Sequence, residues 1–141
     1  MNSSFYLVIL AAFSLGLIQV LQKFASTKIN PIIGAIIVSF TAVIFGVILA
    51  MSQIKLNTIQ ITYWGVFFVA LAGIFAFGAD YFTLKSYSSG LEISIIGPII
   101  IGGSITIATI VGFILGDKIT LLKILGIVMV IGGASILSIF V

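Results

Sequence analysis

Nine side chains carry formal charge in this sequence: Asp80, Glu92 and Asp117 against Lys23, Lys28, Lys55, Lys85, Lys118 and Lys123, with no arginine. Histidine and cysteine are both absent. That removes the imidazole base, the thiolate nucleophile, the disulfide and the usual zinc ligands. No paired carboxylates and no nucleophile–base constellation can be assembled from what is left, so no enzyme, no metal site and no cofactor is expected. Gly112, Gly116, Asp117 and Lys118 faintly resemble a phosphate-binding loop, but three residues separate the glycines where four are needed, and Asp117 precedes the lysine. Glu92 follows Ser89 in an S-x-x-E string, the form of a capping box, so it reads first as a helix-starting residue, with a solute or ion contact as the other reading. Asp80 has the widest functional reach, because an ionisable group inside a membrane helix is a functional hypothesis by default. It lies five residues before Lys85, about 7.5 Å along a helix axis. Two readings stand for it: an interfacial carboxylate paired with Lys23 or Lys85, or a member of a solute or ion path.

These few groups must be positioned by a chain that is almost wholly apolar. Of 141 residues 62% are hydrophobic and 6% charged, with a mean hydropathy of +1.45, whereas soluble domains average about 45–50% and about 25%. So few charges cannot solvate a 14.9 kDa globule, and the solvent is lipid. The sequence pI near 9.4 comes from lysines scattered along the chain rather than gathered on one stripe, which excludes nucleic acid as a partner. A hydrocarbon layer about 30 Å thick takes roughly 20 helical residues to cross. Five stretches meet that length, at residues 5–22, 31–51, 63–84, 91–115 and 121–140, joined by short connections. The expected fold is an all-α integral membrane protein with five transmembrane helices in a single domain, residues 1–141. The amino-terminal stretch has no basic region before it and runs past the length of a signal peptide, so it reads as a retained helix.

Local signals favour helices over barrel strands. Asn30-Pro31 suits the first turn of the second helix. Gly97-Pro98 and Gly102-Gly103 interrupt the fourth. A kink there serves either packing alone or a binding site lined by freed backbone groups. Small residues let membrane helices approach closely, and the fourth span carries Ser104, Ala108, Gly112 and Gly116 at every fourth position. Shorter stripes occur in the second span, Ala42, Gly46 and Ala50, and in the third, Ala72 and Ala76 followed by Asp80.

Residues 81–133 carry a resemblance. Leu84-Lys85-Ser86-Tyr87 leads into Ser94 and Gly97-Pro98, then Leu115-Gly116-Asp117, Leu125-Gly126-Ile127 and Gly132-Gly133. This order is similar to the second part of an EamA-type repeat of the drug/metabolite transporter superfamily. Gln22-Lys23-Phe24-Ala25 and Asn30-Pro31 resemble its first part. The resemblance implies a secondary transporter or exporter of small metabolites. It also implies a half-size chain, one five-helix repeat where most members carry two, acting as a dimer. The four-helix multidrug exporters of the superfamily rely on a glutamate in helix one, and this chain has Ser14, Gln19 and Gln22 there instead. That departure counts against multidrug antiport through helix one.

With five spans, Lys55, Lys118 and Lys123 fall on the amino-terminal side and Lys23, Lys28 and Lys85 on the other, three against three. Lysine excess sets orientation, so a tie leaves open both a single orientation and dual insertion giving an antiparallel homodimer. The expected partners are the lipid bilayer, a small-molecule substrate and a second copy of the chain, and the expected location is the cytoplasmic membrane of a prokaryote. Candidate path residues are Ser14, Gln19, Trp64, Asp80, Tyr81 and Ser94. Gly97 and Pro98 form the kink, and Ser104, Ala108, Gly112 and Gly116 are assigned to helix packing. Trp64 reads first as an interfacial belt residue, with the solute path as its other reading. A non-transporting membrane scaffold or accessory subunit and a lipid-carrier flippase component are the alternative functions.

Overall fold

The computed structural model describes the backbone of residues 3–53 and 61–139 and the side chains of 6–51 and 61–139. It contains five helices, α1 (Ser3–Ser26), α2 (Pro31–Gln53), α3 (Tyr63–Ser88), α4 (Ile93–Ile114) and α5 (Leu121–Ser138), each long and apolar enough to cross a membrane. The chain is an integral membrane protein. Lys55 lies outside the described residues.

Helix ends follow from local chemistry. Pro31 opens α2 at a position where its missing N–H costs nothing, and the Asn30 side chain accepts from the Ile32 backbone N–H at 3.1 Å. Asn30→Ala is expected to lower stability by about 1 kcal/mol, read by thermal unfolding in detergent. α4 closes in a Schellman turn: Gly116 at φ +97° lets Asp117 N–H reach the Gly112 carbonyl at 2.9 Å and Gly116 N–H reach that of Phe113 at 3.2 Å. Gly90, at φ +94°, stands just beyond the end of α3. The first and third helices run past their apolar stretches, to Ser26 and Ser88. The hydroxyls of Ser86, Ser88 and Ser89 fold back onto carbonyls of α3, so that serine-rich end satisfies itself.

The capping box does not form. Ser89 is the C-terminal cap of α3, its hydroxyl donating to the Lys85 carbonyl at 3.0 Å. Glu92 is the N-terminal cap of α4 without a side-chain cap bond, its carboxylate accepting from Ser94 Oγ at 3.3 Å. The physical reason is Gly90, which ends one helix between the two residues that the motif needs in a single turn.

The chain divides into two compact units, Met1–Val20 with Gly90–Val141, and Leu21–Ser89. In the first, α4 packs on α5 at Gly102, where a Cβ would stand 3.0 Å from Ala134 Cβ and 3.5 Å from Val130. In the second, α2 packs on α3 at Gly34 and Ala35, and Gly34 leaves room for the buried Leu84. Buried polar residues Gln22, Ser26 and Thr83 share this second unit with Tyr87, which is completely enclosed.

The assigned small-residue stripe is not the α4–α5 contact. Ser104 and Ala108 are exposed in the chain, Gly112 is packed by the Asp117 carboxylate, and Gly116 is the residue that ends the helix. Gly46, in the α2 stripe, has no neighbour within 4 Å of a built Cβ, and Ala72 and Ala76 are exposed.

Candidate functional site

Two polar features stand out, one in each unit. The first is an open-sided cleft of about 830 Å³ formed by the part of α1 up to Val20 with α4 and α5. α4 runs through Gly97-Pro98 and Gly102-Gly103 without the interruption expected there, and the cleft lies along its proline-bearing turn. Pro98 has no N–H to give the carbonyl of Ser94, four residues back, so that backbone acceptor loses its helical partner. Gly97 next to it has no side chain, and the Gln19 amide lies over the gap, its Oε1 2.7 Å from where a Cβ would be. Gln19, Ser94, Gly97 and Pro98 therefore meet at one wall. The facing walls are aliphatic, with Ile101, Met129, Val130 and Ala134 among them. No ionisable side chain and no aromatic ring is among the lining residues. The polar wall carries an amide and a hydroxyl among apolar surfaces, and the Ser94 hydroxyl donates to the Glu92 carboxylate at 3.3 Å.

The second feature lies in the Leu21–Ser89 unit. Gln22 on the last turns of α1 donates from Nε2 to Asp80 Oδ1 of α3 at 2.7 Å. The sequence offered Lys23 or Lys85 as the partner of Asp80, and the structure gives it a neutral amide. Each lysine lies over a tyrosine ring instead, Lys23 Nζ 5.5 Å from the Tyr87 centroid and Lys85 Nζ 5.7 Å from that of Tyr81, a cation–π arrangement. Lys85 is five residues beyond Asp80, and i to i+5 puts side chains on different faces where i to i+4 would align them.

The other candidates are dispersed. Ser14 is exposed, its hydroxyl donating to the Leu10 carbonyl of its own helix at 2.8 Å. Trp64 is 70% exposed and packs with Phe67 and Phe68 at centroid distances of 6.2 and 6.3 Å, an outward aromatic cluster at the start of α3. That is the arrangement of an interfacial belt. Tyr81 serves as the ring beneath Lys85. Gln22 is the residue that sequence reasoning passed over as a site. Its signal was present in the Gln22-Lys23-Phe24-Ala25 string, an amide next to the only charge of α1.

No curated protein and no solved structure matches the chain. The profile of the EamA-like transporter family matches residues 2–139. Five apolar helices, a fourth helix with a proline inside it and a cleft beside that proline, and a match running over nearly the full sequence place this chain in the EamA-like transporter family.

Proposed function

We propose that the chain is a secondary transporter of a small, uncharged organic metabolite, working as a homodimer of five-helix subunits by alternating access. The cleft at Gln19, Ser94 and Pro98 carries this reading, because a proline within a membrane helix leaves a backbone acceptor without its helical donor beside a cavity that a solute can enter. The absence of charged and aromatic groups from the lining residues favours a neutral, largely aliphatic molecule over an organic cation. The small-residue faces of α2 and α4 left open within the chain, at Gly46, Ser104 and Ala108, are suited to close packing against a second copy. The balanced lysines support a second copy inserted in the opposite sense.

Those same open faces also support the second reading, a scaffold that uses them to hold a different membrane protein. Reconstitution decides between the two. Liposomes containing only the purified chain should accumulate members of a panel of radiolabelled neutral aliphatic amides and alcohols by counterflow, in preference to organic cations. Absence of flux across the panel together with a stable hetero-complex supports the scaffold. Labelling of a cysteine introduced near each end of the chain should modify every such position from both sides of the membrane. Strictly one-sided labelling overturns the antiparallel dimer.

A further inference from the structure

The Gln22–Asp80 bond is a carboxylate–amide pair within the helices assigned to the membrane, and its chemistry differs from that of an ion pair. A carboxylate locked to a lysine loses its partner's attraction on protonation. An amide serves both forms. Ionised Asp80 accepts from Gln22 Nε2–H, as the structure shows. Protonated Asp80 donates its O–H to Gln22 Oε1 once the amide turns over, because a glutamine carries a donor and an acceptor on one rotatable group. The pair can thus hold across a change of charge by reversing the direction of its bond.

We propose that Asp80 reversibly binds a proton, with Gln22 as the residue that keeps the side chain in place in both states. On uptake one proton passes from water to a carboxylate oxygen of Asp80, and the local charge goes from −1 to zero. On release it returns to water. The groups around the pair are consistent with this role. Gln22 is 4% exposed, so its amide is kept from water, whereas Asp80 is only partly buried. Besides Asp80, the ionisable groups of this unit among the described residues are Lys23 from α1, Lys28 after it, and Tyr63, Tyr81, Lys85 and Tyr87 from α3, and the membrane-crossing part of α2, residues 31–51, contributes none. Both lysines lie over the tyrosine rings. Asp80 stands eight residues before the end of α3, about 12 Å of helix, which is two turns from the end that carries Lys85. Proton binding stands on the pair alone. Its use rests on the transport reading: in a working transporter this is the position at which a proton enters the cycle.

The test is infrared titration of the full chain in lipid nanodiscs, following the C=O stretch of protonated carboxyl groups between acidic and mildly alkaline pH. Wild type should show a carboxyl component that disappears in Asp80→Asn, while Asp117→Asn leaves that component in place. Asparagine can still accept from Gln22, so the variant keeps the bond. Gln22→Ala should retain the component and shift both its frequency and its titration midpoint, the latter by about one pH unit or less, the amount by which a hydrogen bond to the charged carboxylate exceeds one to the neutral acid. Should Asp80→Asn fail to fold, the Gln22→Ala shift carries the test. Identical titrations in wild type and Asp80→Asn, or a midpoint unmoved by Gln22→Ala, overturn the proposal. Neither readout requires flux, so loss of the transport reading and loss of the proton site give different results.

Discussion

Gly102→Leu is expected to lower the stability of the folded chain by roughly 1–3 kcal/mol, the usual cost of forcing extra methylenes into a packed contact. The contact is a close approach of two helices through small groups. A Cβ on Gly102 already comes within 3.0 Å of Ala134 Cβ and 3.7 Å of the Val130 carbonyl, and neither can swing aside as the end of a long side chain does. A leucine must therefore push α5 away from α4, and in lipid no hydrophobic effect draws the two together again. Detergent-induced unfolding followed by circular dichroism measures the loss. Gly102→Ala should cost less, since a few tenths of an ångström relieves a single Cβ. Pairing it with Ala134→Gly should recover most of that, a coupling that a double-mutant cycle reads directly. Full additivity of the two changes contradicts the contact.

The second large effect is on the cleft. Gly97→Ala places a methyl group 2.7 Å from the present position of Gln19 Oε1. The amide is the end of a flexible side chain, so it moves and the helices stay. The fold should survive with an unchanged unfolding midpoint, while half-saturation of counterflow rises about tenfold, the equivalent of one hydrogen bond to the solute. Gln19→Ala should produce a similar rise, and the double variant little more than either alone. A Gly97→Ala variant that transports with wild-type affinity removes the Gln19 wall from the solute path.

The number of helices was legible because hydrocarbon thickness imposes a length on every crossing, and polar or turn-forming residues separate the crossings. Their ends were less so. Apolar runs stop where lipid stops, whereas α3 stops where Gly90 turns the backbone. The Ser89 and Glu92 spacing matched a capping box by letter alone, since nothing in four residues says that a glycine between them closes the previous helix. The stripe in α4 does not meet α5 for a geometric reason. Ser104 and Ala108 lie two and six residues beyond Gly102, about 200° and 240° around a helix with 3.6 residues per turn, so they lie away from the face that packs on α5. Gly102, the residue that meets α5, carries no such pattern. Gln19, Ser94, Gly97 and Pro98 stood out in the sequence by residue type, and all four line one cleft. The Gln22–Asp80 bond was not legible in the sequence, because it joins positions 58 apart, and a single sequence gives no reason to prefer an amide over a lysine.

The unequal lengths of the helices carry a mechanical consequence. α3 has 26 residues and α5 has 18, roughly 39 Å and roughly 27 Å at 1.5 Å per residue. A bilayer matched to the shorter helix leaves the longer one overlong, and such a helix tilts, bends or thickens the lipid around it. Bilayer thickness is therefore a physical variable to which α3 and α5 respond with opposite sign: thinning relieves α5 and burdens α3. Acyl-chain length in the surrounding lipid thus becomes a load on the chain, applied with no ligand and no change of charge.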